Sequence, residues 1–209
     1  MSKAIFLGTF DPPHKGHYNC VKSVIESGVF DKFGIEKIHV IPTIQNPNKT
    51  ESTIFKHRYN MCKLMFKNLV NKNQVFIDNI ESKIKNSYTY ELLDYLHNDK
   101  YENIKSDFWW IITIETLEEI INQRWFNSQY ILDTNKFIVV MGPNDDEGYV
   151  NNLVKSCKYS YIIKLNSKYN YEYHSSDIRK LYRQGFNKIL DDTNPDVKTY
   201  ILDNNLYWL

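Results

Sequence analysis

The sequence predicts an α/β protein, a single domain over residues 1–209 built on a doubly wound parallel sheet of about six strands. Short apolar runs of strand length alternate with amphipathic segments of helix length along the whole chain. The run Phe108–Ile114 is apolar throughout, which is typical of a central parallel strand buried on both faces. No linker, repeat or low-complexity segment interrupts this alternation.

Composition excludes several function classes. The chain has 209 residues, enough for a substantial core, and a formal net charge of +1, so no strong field would recruit nucleic acid or an anionic membrane. Its mean hydropathy is −0.52, and no apolar run is long enough to span a bilayer. No signal-peptide pattern precedes Asp11. The three cysteines are far apart and lack metal-ligand spacing, so we expect reduced thiols, no protein metal site and a cytoplasmic or nuclear location.

The first half of the chain contains three predicted strands and two predicted helices. The strands are Ala4–Leu7, Lys37–Ile41 and Val75–Ile77. The first helix begins at His17, carries apolar residues at helical spacing and ends at Gly28. The second helix, Phe55–Val70, is amphipathic, with Phe55, Tyr59, Cys62, Met65, Phe66 and Leu69 on one stripe. Met61 reads as core.

The second half continues the alternation. Further strands are predicted at Phe108–Ile114, Phe137–Met141 and Tyr161–Leu165, and further helices at Tyr90–Asn98 and Val150–Cys157. A helix capped by Ser175 or Ser176 should turn Ile178 and Leu181 inward, and a last helix has Pro195 at its first position. Gly8, Pro42, Glu115 and Gly142 all fall at strand ends, where such sheets bind ligands, which predicts one shared cleft.

The stretch from Gly8 to His17 combines the parts of an anion-binding site. Gly8 is expected to let the backbone turn sharply after the first strand, and a helix begins a few residues later. Free N–H groups and the positive end of a helix dipole converge at such a junction. His14 and His17 add two donors that can become cationic near a phosphate.

Gly8-Thr9-Phe10-Asp11-Pro12-Pro13-His14-Lys15-Gly16-His17 resembles the signature of the adenylyltransferase and cytidylyltransferase superfamily. Within it, the motif is most similar to that of nicotinate mononucleotide adenylyltransferases. Tyr173-His174-Ser175-Ser176-Asp177-Ile178-Arg179 resembles the I-S-S-T-x-I-R signature of the same family, with His174 and Ser176 as departures. The stretch from Pro195 to Tyr207 is similar to the family's terminal helix and tail. The resemblance spans the chain and implies a Rossmann-like nucleotidyltransferase fold.

The resemblance also implies contacts to a mononucleotide. Lys49 matches a lysine that reaches over the nucleotides, although it could equally be a solvated loop residue. Thr89, in a Ser-Tyr-Thr segment, matches a contact to the pyridine carboxylate; Ser87 or Thr89 can cap the same helix. Glu115 stands where the family has an aspartate and could be a first-turn helix carboxylate. Trp125 matches a tryptophan that stacks on the pyridine, or else lies in the core.

The implied reaction is adenylyl transfer from ATP to nicotinate mononucleotide in NAD biosynthesis, with pyrophosphate released. By resemblance, His14 and His17 contact the ATP phosphates, and Ser175, Ser176 and Arg179 hold the leaving pyrophosphate. Backbone groups of Gly8, Thr9 and Phe10 adjoin the adenylyl group, and Mg²⁺ arrives with ATP, bound through substrate oxygens and water. Relatives are often dimers or larger, so a homo-oligomer is compatible.

Three other interpretations stay open at this point. The preferred substrate could be nicotinamide mononucleotide or that of another sister nucleotidyltransferase, since the phosphate apparatus is shared. A non-catalytic nucleotide-binding module of the same fold would tolerate loss of the histidines, yet His14 and His17 are both present. A tRNA-synthetase-like interpretation of the histidines would require a K-M-S-K-S-type second motif, and the sequence has none.

Overall fold

The computed structural model describes residues 2–44, 52–83, 88–98, 107–165 and 173–208. Six strands form one parallel sheet in the order β3-β2-β1-β4-β5-β6. They are β1 (Ser2–Gly8), β2 (Ile35–Pro42), β3 (Val75–Ile77), β4 (Phe108–Thr113), β5 (Lys136–Met141) and β6 (Tyr159–Lys164). This confirms the predicted doubly wound sheet.

Helices cover both faces of the sheet. The described helices are α1 (Lys15–Glu26), α2 (Val29–Phe33), α3 (Phe55–Met65), α4 (Lys67–Asn71), α5 (Thr89–His97), α6 (Ile114–Ile121), α7 (Ser128–Thr134), α8 (Glu147–Leu153), α9 (Ser175–Arg183) and α10 (Pro195–Asp203). Short 3₁₀ helices lie at Ile80–Lys83, Val154–Ser156 and Asn187–Asp192. One core packs α1, α3, α9 and α10 against the sheet, and the other packs α5 to α8 against the opposite face. None of the helices in the described ranges is long and apolar enough to cross a membrane.

The strand order reverses between β1 and β4, which are neighbours in the sheet. Chain connections leave β1 and β4 in opposite directions along the sheet, so a crevice opens at their carboxyl ends. Gly8 pairs with Pro42 at the end of β1, and Gly142 directly follows β5. The predicted strand ends therefore lie at this one edge of the sheet.

Several element boundaries differ from the sequence prediction; α8, for example, spans Glu147–Leu153 rather than Val150–Cys157. The predicted helix Phe55–Val70 is interrupted at Phe66, where φ is −98° and ψ is 7°. At this break the Leu64 carbonyl accepts a hydrogen bond of 2.9 Å from Nδ2 of Asn194, the N-cap of α10. The first helix begins at Lys15 rather than His17, because His14 caps it. The helix α9 is capped by His174, with the Asp177 carboxylate accepting the His174 N–H at 2.9 Å, and not by Ser175 or Ser176.

Candidate active site

A cleft of about 2070 Å³ opens at the carboxyl ends of the central strands. It is lined by every predicted site residue within the described ranges, namely Gly8, Thr9, Phe10, His14, His17, Thr89, Glu115, Trp125, Ser175, Ser176 and Arg179. Lys49 lies outside the described residues. The cleft is larger than a typical pocket for one small ligand, about 300–1000 Å³. Its volume and its lining fit two substrates held side by side.

His14 and His17 are oriented by backbone amides. The Nδ1 atom of His14 accepts the Gly16 N–H at 3.1 Å, and Nδ1 of His17 accepts the His14 N–H at 3.2 Å. An imidazole nitrogen that accepts a hydrogen bond carries no proton, so the proton of each neutral ring lies on Nε2. The two ring centroids are 3.8 Å apart, and both rings line the cleft. Helix capping therefore fixes the histidine pair in a form that donates hydrogen bonds from Nε2.

His14 is only 7% exposed. Burial, and then the nearby His17 and His174, hold the pKa of the His14 imidazole well below its usual value. In the substrate-free protein His14 is thus neutral at pH 7. Desolvation disfavours the charged form of this ring in the unliganded site, and the expectation that it becomes cationic near a phosphate stays a prediction.

Gly8 serves the site differently from the prediction. Its φ is not positive; the left-handed turn lies at Phe10, where φ is 50°. A Cβ added to Gly8 would lie 2.9 Å from Cζ of Phe10, so the missing side chain makes room for that ring. The Phe10 ring is buried and meets His17 edge-on, with centroids 4.9 Å apart. Gly8 therefore helps to place His17 through the Phe10 ring.

The second motif is bonded directly to the first. Ser175 Oγ donates to the Pro12 carbonyl at 2.9 Å, and Arg179 Nη1 donates to the Asp11 carbonyl at 2.6 Å. Both motifs line the same wall of the cleft, and Ser176 lies beside Ser175 in the first turn of α9. The first-turn N–H groups of α9 and the Arg179 fork make this wall suited to anionic oxygens.

The opposite part of the cleft carries Thr89 and Trp125. Thr89 is the first residue of α5 and Tyr88 is its N-cap, so the prediction that Thr89 caps this helix is wrong. Ser87, the other predicted cap, lies outside the described residues. Trp125 Nε1 donates to Glu119 Oε2 at 3.0 Å, and its ring lies 6.0 Å from that of Trp110. The tryptophan is partly buried against the core and also lines the cleft, and its stacking on a pyridine stays a prediction.

Exposed aromatic rings next to Trp125 were missed from sequence. Phe126 is 62% exposed and lies 5.1 Å from Tyr88 and 5.3 Å from Tyr90, centroid to centroid. Phe126 and Tyr88 both line the cleft. The aromatic pair Trp125-Phe126 was the available signal. These faces suit a flat aromatic ring of a ligand.

Glu115 lies in the first turn of α6, as its alternative interpretation proposed. Its Oε1 atom is 3.6 Å from Nε2 of His174, the cap of α9. Both side chains are exposed and line the cleft. Two positions at which this chain departs from the family pattern thus face each other across the cleft mouth.

Sequence reasoning also missed the role of Arg58. This side chain is fully buried at the ends of β1 and β2 and donates to four backbone carbonyls: Thr53 (2.7 Å), Thr9 (2.7 Å), Thr43 (2.5 Å) and Ile44 (2.7 Å). A guanidinium with five donors satisfies several carbonyls that no strand partner reaches. The sequence signals were a polar residue inside an amphipathic helix and the similarity of Arg58 and Met61 to an Arg-x-x-Met pair of the family, and neither gave this role. Arg58 therefore links the backbone segments that follow β1 and β2 at the floor of the cleft.

Metal ligands are a separate question. No group of three or more His, Cys, Asp or Glu side chains that could hold a metal ion occurs among the described residues. The carboxylate of Asp11, next to the phosphate wall, is buried and accepts hydrogen bonds from Tyr207 Oη and the Thr53 N–H. These residues do not form a protein site for Mg²⁺.

In this cleft, on a doubly wound sheet, a wall with two histidines, a helix start and an arginine lies beside a group of aromatic rings. The sequence model of the cytidylyltransferase-like family matches residues 5–181, which include both motifs. The chain belongs to the cytidylyltransferase-like family. The His14–His17 and Ser175–Arg179 segments lie near the two ends of the matched range.

Several curated relatives of this family member carry the name "probable nicotinate-nucleotide adenylyltransferase". The protein of Fusobacterium nucleatum is 32% identical over 86% of this chain and 86% of its own length. That of Endomicrobium trichonymphae is 29% identical over 98% of this chain and 97% of its own length. These matches confirm the resemblance inferred from the motifs.

Solved structures confirm the fold of this cytidylyltransferase-like chain. The nicotinic acid mononucleotide adenylyltransferase of Plasmodium falciparum complexed with APC has a TM-score of 0.77 and 23% identity, covering 99% of this chain and 96% of the other. The same protein complexed with NaAD has a TM-score of 0.78 at the same identity. The likeness extends over the whole chain, so the sheet and its crevice are shared.

Proposed function

We propose that this protein transfers the adenylyl group of ATP to nicotinate mononucleotide, forming nicotinate adenine dinucleotide and pyrophosphate. The observation that carries the proposal is the joining of a histidine-rich phosphate wall and an aromatic pocket in one cleft. The names of the full-length relatives support the same reaction. The phosphate oxygen of the mononucleotide attacks Pα of ATP, a new P–O bond forms, and the bond from Pα to the bridging oxygen of pyrophosphate breaks.

This chemistry needs no protein nucleophile or general base. The second pKa of a phosphate monoester is about 6, so the attacking group is already ionised at neutral pH. The protein must instead align the two substrates and stabilise charge that develops on the triphosphate. Fixed donors at the site of charge development are the most effective means of doing so.

The histidine pair supplies such donors. Because backbone amides occupy both Nδ1 atoms, each neutral ring can donate from Nε2 toward the triphosphate. We assign transition-state stabilisation mainly to His17, whose ring packs on Phe10 and lines the cleft. His14 is neutral in the substrate-free protein, so it meets the incoming phosphates as an uncharged hydrogen-bond donor.

We assign the leaving pyrophosphate to α9. Arg179 uses one N–H for the Asp11 carbonyl, and the guanidinium has five N–H groups, so this bond is compatible with a second bond to a phosphate oxygen. The single hydroxyl proton of Ser175 is already donated to Pro12, which leaves backbone N–H groups and the Ser176 hydroxyl as the better phosphate ligands. Mg²⁺, which travels with ATP, would be held by phosphate oxygens and water and would neutralise part of their charge.

The mononucleotide belongs to the other half of the cleft. Thr89 at the start of α5 places helix N–H groups where a pyridine carboxylate would accept them. Trp125 and its neighbouring rings offer flat faces to a pyridinium, and Glu115 lies between the two halves. For Lys49, which lies outside the described residues, we keep the role that the resemblance implies, a lysine that reaches over the bound nucleotides.

The test is release of pyrophosphate from ATP and Mg²⁺ with each pyridine mononucleotide. We expect turnover with nicotinate mononucleotide and a lower kcat/KM with the nicotinamide form. His17→Ala should lower kcat by about a hundredfold or more, the usual effect of removing one oxyanion donor. Lys15→Ala is the matched control, since Lys15 is exposed on the same helix and does not line the cleft.

No pyrophosphate release with either mononucleotide would refute the proposal. Equal turnover of His17→Ala and Lys15→Ala would show that the charge-stabilising role of His17 is wrong.

A further inference from the structure

The loop before the histidine pair contains a buried carboxylate, in addition to the carbonyls that Arg58, Ser175 and Arg179 bind. Asp11 is 3% exposed, and its Oδ1 atom accepts a hydrogen bond of 2.7 Å from Tyr207 Oη. Its Oδ2 atom accepts the Thr53 N–H at 3.0 Å and lies 4.0 Å from Arg179 Nη1. Asp11 is separated from His14 by only two prolines. Its position therefore constrains where the histidine pair begins.

Tyr207 reaches this carboxylate from the opposite end of the chain, 196 residues away. The helix α10 ends in a turn in which Asn205 N–H donates to the Leu202 carbonyl (3.1 Å) and Leu206 N–H donates to that of Ile201 (3.0 Å). Asn205 has φ 48° and Tyr207 has φ 66°. A tyrosine adopts the left-handed region only at a cost, so the surrounding contacts must hold it there.

The Tyr207 hydroxyl stays a donor across the ordinary pH range. Burial, the Asp11 charge and the hydrogen bond itself raise the pKa of the Tyr207 phenol well above its usual value. Its ring is buried in the core formed by α1, α3, α9 and α10. The raised pKa and the burial of Tyr207 both favour this hydrogen bond in the folded protein.

We propose that Tyr207 is a positioning residue for adenylyl transfer, which through Asp11 fixes the loop that carries His14 and His17. Loss of the hydroxyl leaves a buried carboxylate oxygen without its donor, and the Asp11 side chain must move, together with its loop, to give that oxygen a new partner. Such a shift would move His14, and with it the amide that orients His17. A displacement of about 1 Å in a catalytic group is enough to lower turnover strongly.

This inference rests on the proposed function for its kinetic consequence. The test variant is Tyr207→Phe, which keeps the ring and removes only the hydroxyl. Tyr200→Phe is the matched control: Tyr200 belongs to α10, and its hydroxyl contacts His57 (3.0 Å) and Asn60 (3.1 Å), neither of which lines the cleft. Each variant removes one tyrosine hydroxyl of the C-terminal segment that is hydrogen-bonded to side chains, so the two substitutions are chemically matched.

We expect Tyr207→Phe to lower kcat about tenfold or more while the KM for the mononucleotide changes less than twofold. Tyr200→Phe should keep kcat within twofold of the wild type, although both variants lower Tm. A purely structural hydroxyl would lower Tm without this difference in kcat. Equal kcat values for the two variants would overturn the proposal.

A second readout does not depend on activity. Hydrogen–deuterium exchange of the peptide covering residues 9–17 should be at least about tenfold faster in Tyr207→Phe and unchanged in Tyr200→Phe. Unchanged exchange in Tyr207→Phe would overturn the inference by itself. If the wild type released no pyrophosphate, the proposed function would fail, and the exchange comparison would still decide whether Tyr207 holds the loop.

Discussion

Glu81 is a buried carboxyl group whose ionisation should be visible in the stability of the protein. It is 5% exposed, and its Oε2 atom accepts the Ile44 N–H at 2.5 Å. Burial raises the pKa of the Glu81 carboxyl to about 7, against the opposing effects of that hydrogen bond and of Arg58. Ile44 lies two residues after the end of β2, so Glu81 anchors the chain just after that strand.

The magnitude follows from linkage. Since the folded-state pKa is raised from 4.5 to about 7, the contribution of Glu81 to the free energy of unfolding is full below pH 4.5 and is lost as pH rises through 7. At 1.36 kcal/mol for each unit, the loss between pH 5 and pH 8 is about 2 to 3 kcal/mol. Glu81→Gln keeps the acceptor for Ile44 and removes the ionisation.

The assay is urea unfolding of wild type and Glu81→Gln at pH 5 and pH 8. We expect the difference in free energy of unfolding between the two proteins to shift by about 2 to 3 kcal/mol in favour of the variant at pH 8. Comparing the two pH values cancels any pH-independent effect of the substitution. The same difference at both pH values would refute the reasoning, because Glu81 would then be ionised in the folded protein at pH 5.

Two further predictions concern the phosphate wall. Gly8→Ala would place a Cβ 2.9 Å from the Phe10 ring, so we expect urea unfolding to show a loss of about 1–3 kcal/mol in the free energy of unfolding. A second substitution, Phe10→Leu, should recover part of this loss, and no recovery would contradict the steric explanation. Arg179→Ala should raise the KM for ATP and lower kcat, together about tenfold or more in kcat/KM, because a charged phosphate ligand is lost. The control is Arg183→Ala, an exposed residue in the last turn of the same helix, and matching kinetics for the two variants would reduce Arg179 to a structural role.

Much of the fold was predictable because its signals are local. Alternating apolar runs specified the six strands, and the fully apolar Phe108–Ile114 run marked the central strand β4. The break at Phe66 was not predictable, since the apolar stripe continues through it and the hydrogen bond at the break comes from Asn194, 130 residues along the chain.

The candidate site divides in the same way. The two motifs carried enough local pattern to name His14, His17, Ser175 and Arg179, and the topology of a doubly wound sheet brought them to one edge. The motifs did not reveal that Ser175 and Arg179 bind the carbonyls of Pro12 and Asp11, because those partners lie more than 160 residues away. The structural role of Arg58 was not predictable for a similar reason, because its carbonyl partners come together only after β1 and β2 pair.

By itself, then, the sequence determined the parallel α/β architecture, the family and the motif residues that line the cleft, since each depends on periodicity or on a contiguous motif. Only the tertiary structure decided that His14 is neutral in the empty site, that Gly8 makes room for Phe10 and that Tyr207 supports Asp11. Burial, close approach and hydrogen bonds between distant segments depend on three-dimensional packing, which no local pattern encodes.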